Sequence, residues 1–282
     1  MYRKLFAAIP AALVVIGLSA CAAGAPSAKP IPPTPTTRSP SAKVPAKPSR
    51  SPAPPKPTPT PTKPRSITQP ARLPSVKGRG PAGSAMGTGG VGVALTFDDG
   101  PDPIYTPQLL DLLKKQRVKA TFCLIGSRAE RNPSLVRRIV AEGHTLCNHT
   151  WNHSLQLGVQ TDAVILKDLQ DTNKAIRQAV PRAKIKYFRA PGGMFTPKLV
   201  GLAQSLGMSS IYWSVDTRDW DKASYGTGST MVTHIIDTVQ WSVRPGAIVL
   251  AHDLRKPDTI TAFRTLVPWL KQARLKLIAL PT

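Results

Sequence analysis

Short apolar runs alternate with amphipathic stretches from about residue 91 to the end of the chain. Runs rich in Val, Ile, Leu and Phe are typical of strands buried on both faces. The stretches between them repeat apolar residues at three- and four-residue spacings, which indicates helices that cover a core. The pattern predicts strands at 91–97, 119–126, 144–149, 186–190, 209–215, 246–252 and 275–280, and helices at 106–116, 132–143, 161–180, 197–206, 229–241 and 258–273.

Strands that alternate with helices predict a parallel sheet with helices packed around it. The patterned region has about 190 residues, which is short for a complete eight-stranded barrel of about 250 residues. We therefore expect an α/β fold with about seven parallel strands in a reduced or distorted barrel. An open doubly wound sheet is the alternative, and in both folds functional residues lie at the carboxyl ends of the strands.

The N-terminal third of the chain has a different composition. Of the 30 prolines, 18 lie between Pro26 and Pro81, and the first 97 residues contain no Asp or Glu. A segment of Pro, Ala, Ser, Thr and Lys cannot bury enough apolar area to offset its ordering entropy. We expect residues 21–88 to be a disordered linker and residues 89–282 to be the folded domain.

The first 20 residues have the features of an export signal. Arg3 and Lys4 precede an apolar run that is shorter than the roughly 20 residues of a transmembrane helix. The sequence "LSAC", which ends at Cys21, resembles the lipobox of bacterial lipoproteins. This resemblance implies lipid attachment at Cys21 and an extracytoplasmic protein anchored to the cell membrane. An ordinary signal peptide and a secreted protein are the alternative.

The chain is strongly basic, with 38 Lys and Arg against 15 Asp and Glu and a formal net charge of +23. The basic linker carries neither interleaved aromatic residues nor a recognition motif, so we expect no nucleic-acid partner. For an exported protein, anionic cell-wall polymer or lipid headgroups are the expected partners. A linker that is merely solvated is the alternative.

Two cysteines remain if Cys21 carries lipid. Cys123 and Cys147 fall in the second and third predicted strands, and an exported protein enters an oxidising compartment. We expect them to lie close enough to form a disulfide. Two buried free thiols are the alternative, since cysteine is among the most buried residue types.

Polar residues that can bind a metal or transfer protons follow five of the predicted strands. Imidazoles four residues apart, with a carboxylate at a nearby strand end, predict a divalent metal site, with zinc the expected ion. The HExxH pattern of zinc proteases is absent, and His144 at the start of its strand is expected to be structural. The five motifs are "TFDDGP" with Asp98 and Asp99, "NHTWNH" with His149 and His153, "RAPGG" with Arg189, "DTRDW" with Asp219, and "LAHD" with His252.

In this order the five motifs resemble those of the polysaccharide deacetylase family, also called the NodB homology domain or carbohydrate esterase family four. The resemblance covers about 91–280. It implies a distorted (β/α) barrel and metal-dependent removal of acetyl groups from N-acetylglucosamine polymers or from acetylated xylan.

The resemblance also implies roles for residues at the first three motifs. Asp98 would be the general base toward the attacking water, and Arg189 would hold Asp98 by a salt bridge. Asp99, His149 and His153 would bind the divalent metal, most often zinc.

The remaining implied roles concern the proton donor and the substrate pocket. His252 would be the general acid, oriented by Asp219. Trp220 and Leu250 would line the pocket around the acetyl methyl group, and the backbone N–H of Gly192 would help to hold the oxyanion. Many relatives carry a bulky Tyr or Phe at the position of Gly192, so a side-chain wall is missing here and the substrate subclass stays open.

The function expected from these motifs is N-deacetylation of peptidoglycan or a related chitin-like glycan of the cell envelope. An O-acetyl esterase acting on acetylxylan is the nearest alternative, because the same residues could perform that reaction. A catalytically silent glycan-binding protein is a third alternative, although none of the expected catalytic residue types is missing.

Overall fold

The structure, a computed structural model, describes residues 78–282. The predicted signal peptide, the predicted lipidation site at Cys21 and the linker up to residue 77 lie outside the described residues. Within the described part of the chain, no helix combines the length and the apolar character needed to cross a membrane.

Among residues 78–282, one parallel sheet of eight short strands forms the centre of the fold. The strands are β1 Val93–Asp98, β2 Thr121–Leu124, β3 Thr145–Asn148, β4 Ile185–Phe188, β5 Ser209–Ser210, β6 Val215–Asp216, β7 Ile248–His252 and β8 Leu277–Ile278. Their order is β5-β4-β3-β2-β1-β7-β6, with β8 paired to the start of β1. The predicted α/β class and distorted barrel are confirmed.

The predicted strand at 209–215 is two short strands at opposite edges of the sheet. β5 pairs with β4 at one edge, and β6 pairs with β7 at the other. Between them, the carbonyl oxygen of Tyr212 accepts a hydrogen bond from Arg189 Nη2 at 2.9 Å instead of pairing with a strand. This one segment therefore connects the two edges, and the connection curls the sheet into a barrel.

In the described part of the chain, eight α-helices surround the sheet, and six of them lie where the apolar spacing predicts a helix. The two additional helices, α2 and α6, span six and four residues, too short to show a helical period. The helices are α1 Tyr105–Gln116, α2 Gly126–Arg131, α3 Pro133–Ala141, α4 Asp162–Ala179, α5 Pro197–Ser205, α6 Lys222–Tyr225, α7 Ser229–Ser242 and α8 Pro257–Gln272.

Alternate residues of each strand contribute to two separate cores, because successive side chains on a strand point to opposite faces. Leu95 and Phe97 of β1 pack in the large core under the helices. Ala94 packs in a smaller core inside the barrel, together with Cys123 and Cys147. These two cysteines are paired in register on β2 and β3 and are joined as a disulfide in the structure.

The segment before β1 contacts the sheet earlier than the expected domain start at residue 89. The N–H of Ala85 donates to the carbonyl oxygen of Ser210 at 2.9 Å, and the N–H of Thr88 donates to that of Gly246 at 2.9 Å. Ser84 is buried. The last residues of the predicted linker thus donate backbone hydrogen bonds to β5 and to the turn before β7. These bonds pair carbonyl oxygens that the short strands leave without a strand partner.

Candidate active site

The register of the sheet brings the first and last motifs together. β1 and β7 are parallel neighbours, and Asp98 is the register partner of His252 at their carboxyl ends. On β7, Leu250 precedes His252 by two residues, so both side chains lie on the same face of the strand. The site therefore begins at two adjacent strand ends, as expected for this class of fold.

Asp98 and Asp99 are adjacent in sequence, and His149 Nε2 lies 3.7 Å from Asp98 Oδ2 and 3.4 Å from Asp99 Oδ1, but their other partners differ. Asp98 ends β1 and is buried, and its Oδ1 accepts a hydrogen bond from Arg189 Nη1 at 2.8 Å. Asp99 has a φ of +75°, a left-handed conformation that Asp adopts more readily than most residues. Its Oδ1 lies 3.4 Å from His149 Nε2 and 3.3 Å from His153 Nε2.

Asp99, His149 and His153 have the composition and spacing of a three-residue metal site. One donor atom from each lies within 4.8 Å of the other two. Among residues 78–282, the buried Oδ1 of Asp99 has no hydrogen-bond partner, and a buried acceptor of this kind calls for a ligand. One carboxylate and two imidazoles are a donor set that zinc and similar divalent ions prefer. The residues present therefore fit a divalent cation.

The two histidines are held in different ways, His149 through its ring and His153 through its backbone. His149 Nδ1 donates to the backbone carbonyl oxygen of Arg189 at 2.9 Å, which leaves its Nε2 as the atom that faces Asp99. His153 lies in a tight loop with a φ of +62°, and its backbone N–H donates to Thr150 Oγ1 at 3.1 Å. The four-residue spacing is thus realised by a loop and not by a helical turn.

Arg189 is completely buried, and hydrogen bonds from both of its terminal nitrogens fix the guanidinium in place. Besides Asp98, Nη1 donates to Thr96 Oγ1 at 2.9 Å, and Nη2 donates to Tyr212 O at 2.9 Å. Thr96 was not predicted from the sequence. Its signal is a polar residue inside the apolar run "VALTF", two positions before Asp98 and hence on the same face of β1.

His252 and Asp219 form a second buried pair, joined by two hydrogen bonds. His252 Nδ1 donates to Asp219 Oδ1 at 2.6 Å, and the backbone N–H of His252 donates to Oδ2 at 2.9 Å. Burial alone would lower the pKa of His252, but the Asp219 carboxylate and its hydrogen bond outweigh burial and raise the pKa to about 9. The imidazole therefore holds its proton at neutral pH.

Sequence reasoning missed the groups that hold Asp219. Thr259 Oγ1 donates to Asp219 Oδ2 at 2.6 Å, and Lys256 Nζ donates to the carbonyl oxygen of Asp219 at 2.9 Å. Both lie just after the "LAHD" motif, at the start of α8. Within an amphipathic helix, Thr259 has no pattern that separates it from any other buried helical residue.

A buried carboxyl group, that of Asp253, supports the turn after Asp99. Asp253 accepts a hydrogen bond from the Thr106 hydroxyl, and a Cβ at Gly100 would lie 2.6 Å from both of its carboxyl oxygens. Burial raises the pKa of Asp253 to about 7. Gly100 is therefore needed for space, and Asp253 connects the loop after β7 to the turn after β1.

The predicted substrate residues lie around this centre in different environments. Leu250 is buried, whereas Trp220 is half exposed, with its indole N–H donating to Asp216 Oδ1 at 3.3 Å. Gly192 lies in the turn Pro191–Gly193 with a φ of +58°. Their proposed roles in binding the acetyl group stay predictions. His144 is buried away from these residues and accepts a hydrogen bond from the N–H of Ala120 at 3.1 Å, as expected for a structural histidine.

The chain is similar in sequence to known members of one protein family. The family described as polysaccharide deacetylase matches residues 86–211. The chain is 38% identical over 207 residues to a chitooligosaccharide deacetylase of Sinorhizobium fredii, an alignment that covers 69% of this chain and 93% of the relative. It is 39% identical over 184 residues to a peptidoglycan-N-acetylglucosamine deacetylase of Bacillus cereus, with 64% of this chain and 82% of the relative covered.

A solved structure with a similar fold is a pseudoenzyme of carbohydrate esterase family four from Bacillus anthracis. The TM-score is 0.61 at 30% sequence identity, and the alignment covers 67% of this chain and 64% of that chain. Because this fold also occurs in a pseudoenzyme, the fold alone does not establish activity, and the residues of the site decide it.

Proposed function

The chain belongs to the polysaccharide deacetylase family, carbohydrate esterase family four, and we propose that it removes N-acetyl groups from N-acetylglucosamine residues of peptidoglycan or a related cell-envelope glycan. It is a carbohydrate N-deacetylase, a hydrolase that acts on amides, and its substrates are acetylated glycans. The proposal concerns the polymer, the cellular location and the role of each residue.

One observation supports the proposal: the Asp99–His149–His153 triad lies with Asp98 and His252, two groups that can transfer protons, at the carboxyl end of the sheet. Asp98 is held by Arg189 at 2.8 Å, and His252 is held by Asp219 at 2.6 Å. The chemistry that a divalent cation supplies at such a triad is Lewis acidity, which polarises an acetyl carbonyl and makes water acidic enough to ionise near pH 7. The identity of the ion is proposed to be zinc, on the donor set alone.

In the proposed reaction, the carboxylate of Asp98 accepts a proton from the attacking water. Its contact with Arg189 fixes Oδ1, so that Oδ2 is the oxygen available for this transfer. His252 then donates its proton to the nitrogen of the leaving amine as the C–N bond breaks. The products are acetate and a free amino group on the sugar. The raised pKa of His252, to about 9, supports a donor that is charged at neutral pH.

The envelope location is a proposal based on the N-terminal sequence. A lipid on Cys21 would anchor the protein to the outer side of the cell membrane, and the linker would span towards the wall. Polyproline II extends by about 3.1 Å per residue, so a linker of this composition has a long reach. Its positive charge supports contact with anionic wall polymer or lipid headgroups.

Acetate release from defined polymers tests the proposed function. Peptidoglycan, chitooligosaccharides and acetylxylan are each incubated with the purified protein, with and without a chelator. We expect chelator-sensitive acetate release from the two N-acetylglucosamine substrates. Release from acetylxylan alone would support the O-acetyl esterase. Binding of glycan without acetate release from any of the three would support a catalytically silent protein.

A further inference from the structure

Exposed apolar side chains cluster beside the candidate active site. Eight large apolar side chains are exposed among residues 78–282, and three of them, Leu155, Val159 and Met194, line one cavity of about 180 Å³. Single exposed apolar residues are ordinary on a protein surface, but a cluster around a cavity is typical of a binding site. We call these three residues the apolar ledge.

The apolar ledge owes its shape to Gly192. A Cβ at this position would lie 2.9 Å from Leu155 Cδ2, so the side chain of Leu155 extends over the turn where residue 192 has none. The φ of +58° at Gly192 also disfavours any other residue there. The missing wall at residue 192 is therefore filled from a different loop, by Leu155.

Two residues that line the cavity follow closely on residues of the site in the sequence. Leu155 lies two residues after His153, and Gly193 lies four residues after Arg189. A ligand on the apolar ledge therefore lies next to a ligand at the metal triad. A group attached to the reacting sugar would extend onto this surface.

The lining of the cavity indicates an uncharged occupant. It contains no charged residue, and its polar side chains are Gln156 and Thr196, although the whole chain carries a net charge of +23. Gln156 is exposed. Among residues 78–282, no hydrogen bond of its side-chain amide is seen, so the amide is available to a ligand. Apolar side chains beside a free amide suit a pyranose ring, which has an apolar C–H face and hydroxyl groups at its edge.

We propose that the apolar ledge binds the sugar next to the one that is deacetylated, and that Leu155 is a residue that determines preference for polymeric over small substrates. This inference rests on the proposed function and extends it to a second sugar of the same glycan. Leu155 would then provide the sugar with a contact at the position where Gly192 has no side chain.

The proposal predicts which kinetic constant changes in Leu155→Ala. A contact with a neighbouring sugar holds the substrate before and during the reaction, so its loss raises KM and leaves kcat nearly unchanged. Removing the part of a leucine side chain that the sugar would cover lowers affinity about fivefold to tenfold. An acetyl compound that lacks a neighbouring sugar loses nothing.

The experiment compares chitopentaose with p-nitrophenyl acetate in the full-length protein with excess Zn²⁺. We expect the ratio of kcat/KM for chitopentaose to that for p-nitrophenyl acetate to fall about fivefold to tenfold in Leu155→Ala. Val91→Ala is the matched control, because Val91 is also exposed but precedes β1 at the opposite end of the strand from Asp98. Met194→Ala tests the facing wall and should lower the ratio in the same direction.

Binding is measured separately, so that failure of the inference and failure of the proposed function can be distinguished. Calorimetry of chitopentaose binding to Asp98→Asn should give a Kd about fivefold to tenfold higher when Leu155→Ala is added. Unchanged Kd and unchanged kinetic ratio in Leu155→Ala, with a wild-type melting temperature, would overturn the inference. Absence of acetate release by the wild-type protein, with the expected change in Kd, would instead overturn the proposed function and leave the apolar ledge as a glycan-binding surface.

Discussion

Arg189 Nη1 donates to Asp98 Oδ1 at 2.8 Å, and neither side chain is accessible to solvent beyond a few per cent. This contact separates two adjacent carboxylates into different environments. Asp98 is paired with a guanidinium, whereas Asp99 faces His149 and His153. The strand end thus holds two like charges, each of which lies beside side chains that can carry the opposite charge.

Loss of Arg189 should destabilise the fold strongly. Arg189→Met leaves the buried Asp98 carboxylate without its partner and Tyr212 O without a donor, and breaking a buried ion pair from one side costs about 3–5 kcal/mol. Urea denaturation of the wild type and the variant measures this change in the free energy of unfolding. The exposed pair of Lys167 and Asp171 gives a control, because Lys167→Met should cost about 0–1 kcal/mol. Equal costs for the two variants would contradict a structural role for the buried pair.

The alkaline limb of the pH profile should depend on Asp219. His252 has its pKa raised to about 9, so the proton donor is present below that pH and is lost as the pH rises through it. In Asp219→Asn the largest of the charges that raise the pKa of His252 is gone, and the alkaline midpoint of kcat/KM should move to lower pH by about 1–3 units. Thr259→Val is the control, since it removes one hydrogen bond to Asp219 but keeps both charges. The assignment of His252 as the donor fails if the midpoint is the same in Asp219→Asn and in the wild type.

The pairing of Cys123 with Cys147 should be measurable as a missing thiol signal. Denatured protein alkylated without reductant should carry no label on either cysteine, as read by mass spectrometry. A disulfide that spans 24 residues contributes about 3 kcal/mol in the chain-entropy account, so Cys123→Ala together with Cys147→Ala should lower the free energy of unfolding by about that amount. Full labelling of both cysteines in exported protein would rule out the disulfide.

Cys21 should determine whether the protein is found in the membrane fraction. Cys21→Ala should abolish lipidation and move the protein from the membrane fraction to the soluble fraction of exported protein. The catalytic domain carries none of the changed residues, so specific activity on chitooligosaccharides should stay at the wild-type level. Retention of Cys21→Ala in the membrane fraction would argue against a lipid anchor.

Most of the fold can be predicted from the spacing of apolar residues along the chain and from the polar residues that follow the apolar runs. The apolar runs predict the positions of β1, β2, β3, β4, β7 and β8, because a buried parallel strand has no polar face to interrupt it. The run at 209–215 predicts a strand but not its division into two. That division depends on Arg189 and Tyr212, which are far apart in sequence and meet only in the closed barrel.

Site residues that directly follow a strand can be predicted from the sequence. Residues that reach the site from a helix or another loop to support a side chain cannot. Asp98, Asp99 and His252 lie at strand ends, so topology alone brings them to one edge. Thr259 reaches Asp219 from the first turn of α8, and no local pattern indicates this contact. Leu155 was missed for the same reason, since its contact with Gly192 joins two loops that the sequence does not relate.

The central claim is that Asp99 binds the metal and Asp98 transfers a proton, and paired Asn substitutions test it most directly. Elemental analysis gives the metal content of each variant, and acetate release is followed across a metal titration. Asp99→Asn should lose metal affinity, with activity partly restored by excess metal. Asp98→Asn should retain the metal, with a rate about 10²–10⁴-fold lower at every metal concentration. Loss of metal from Asp98→Asn with retention in Asp99→Asn would contradict the account and exchange the two roles.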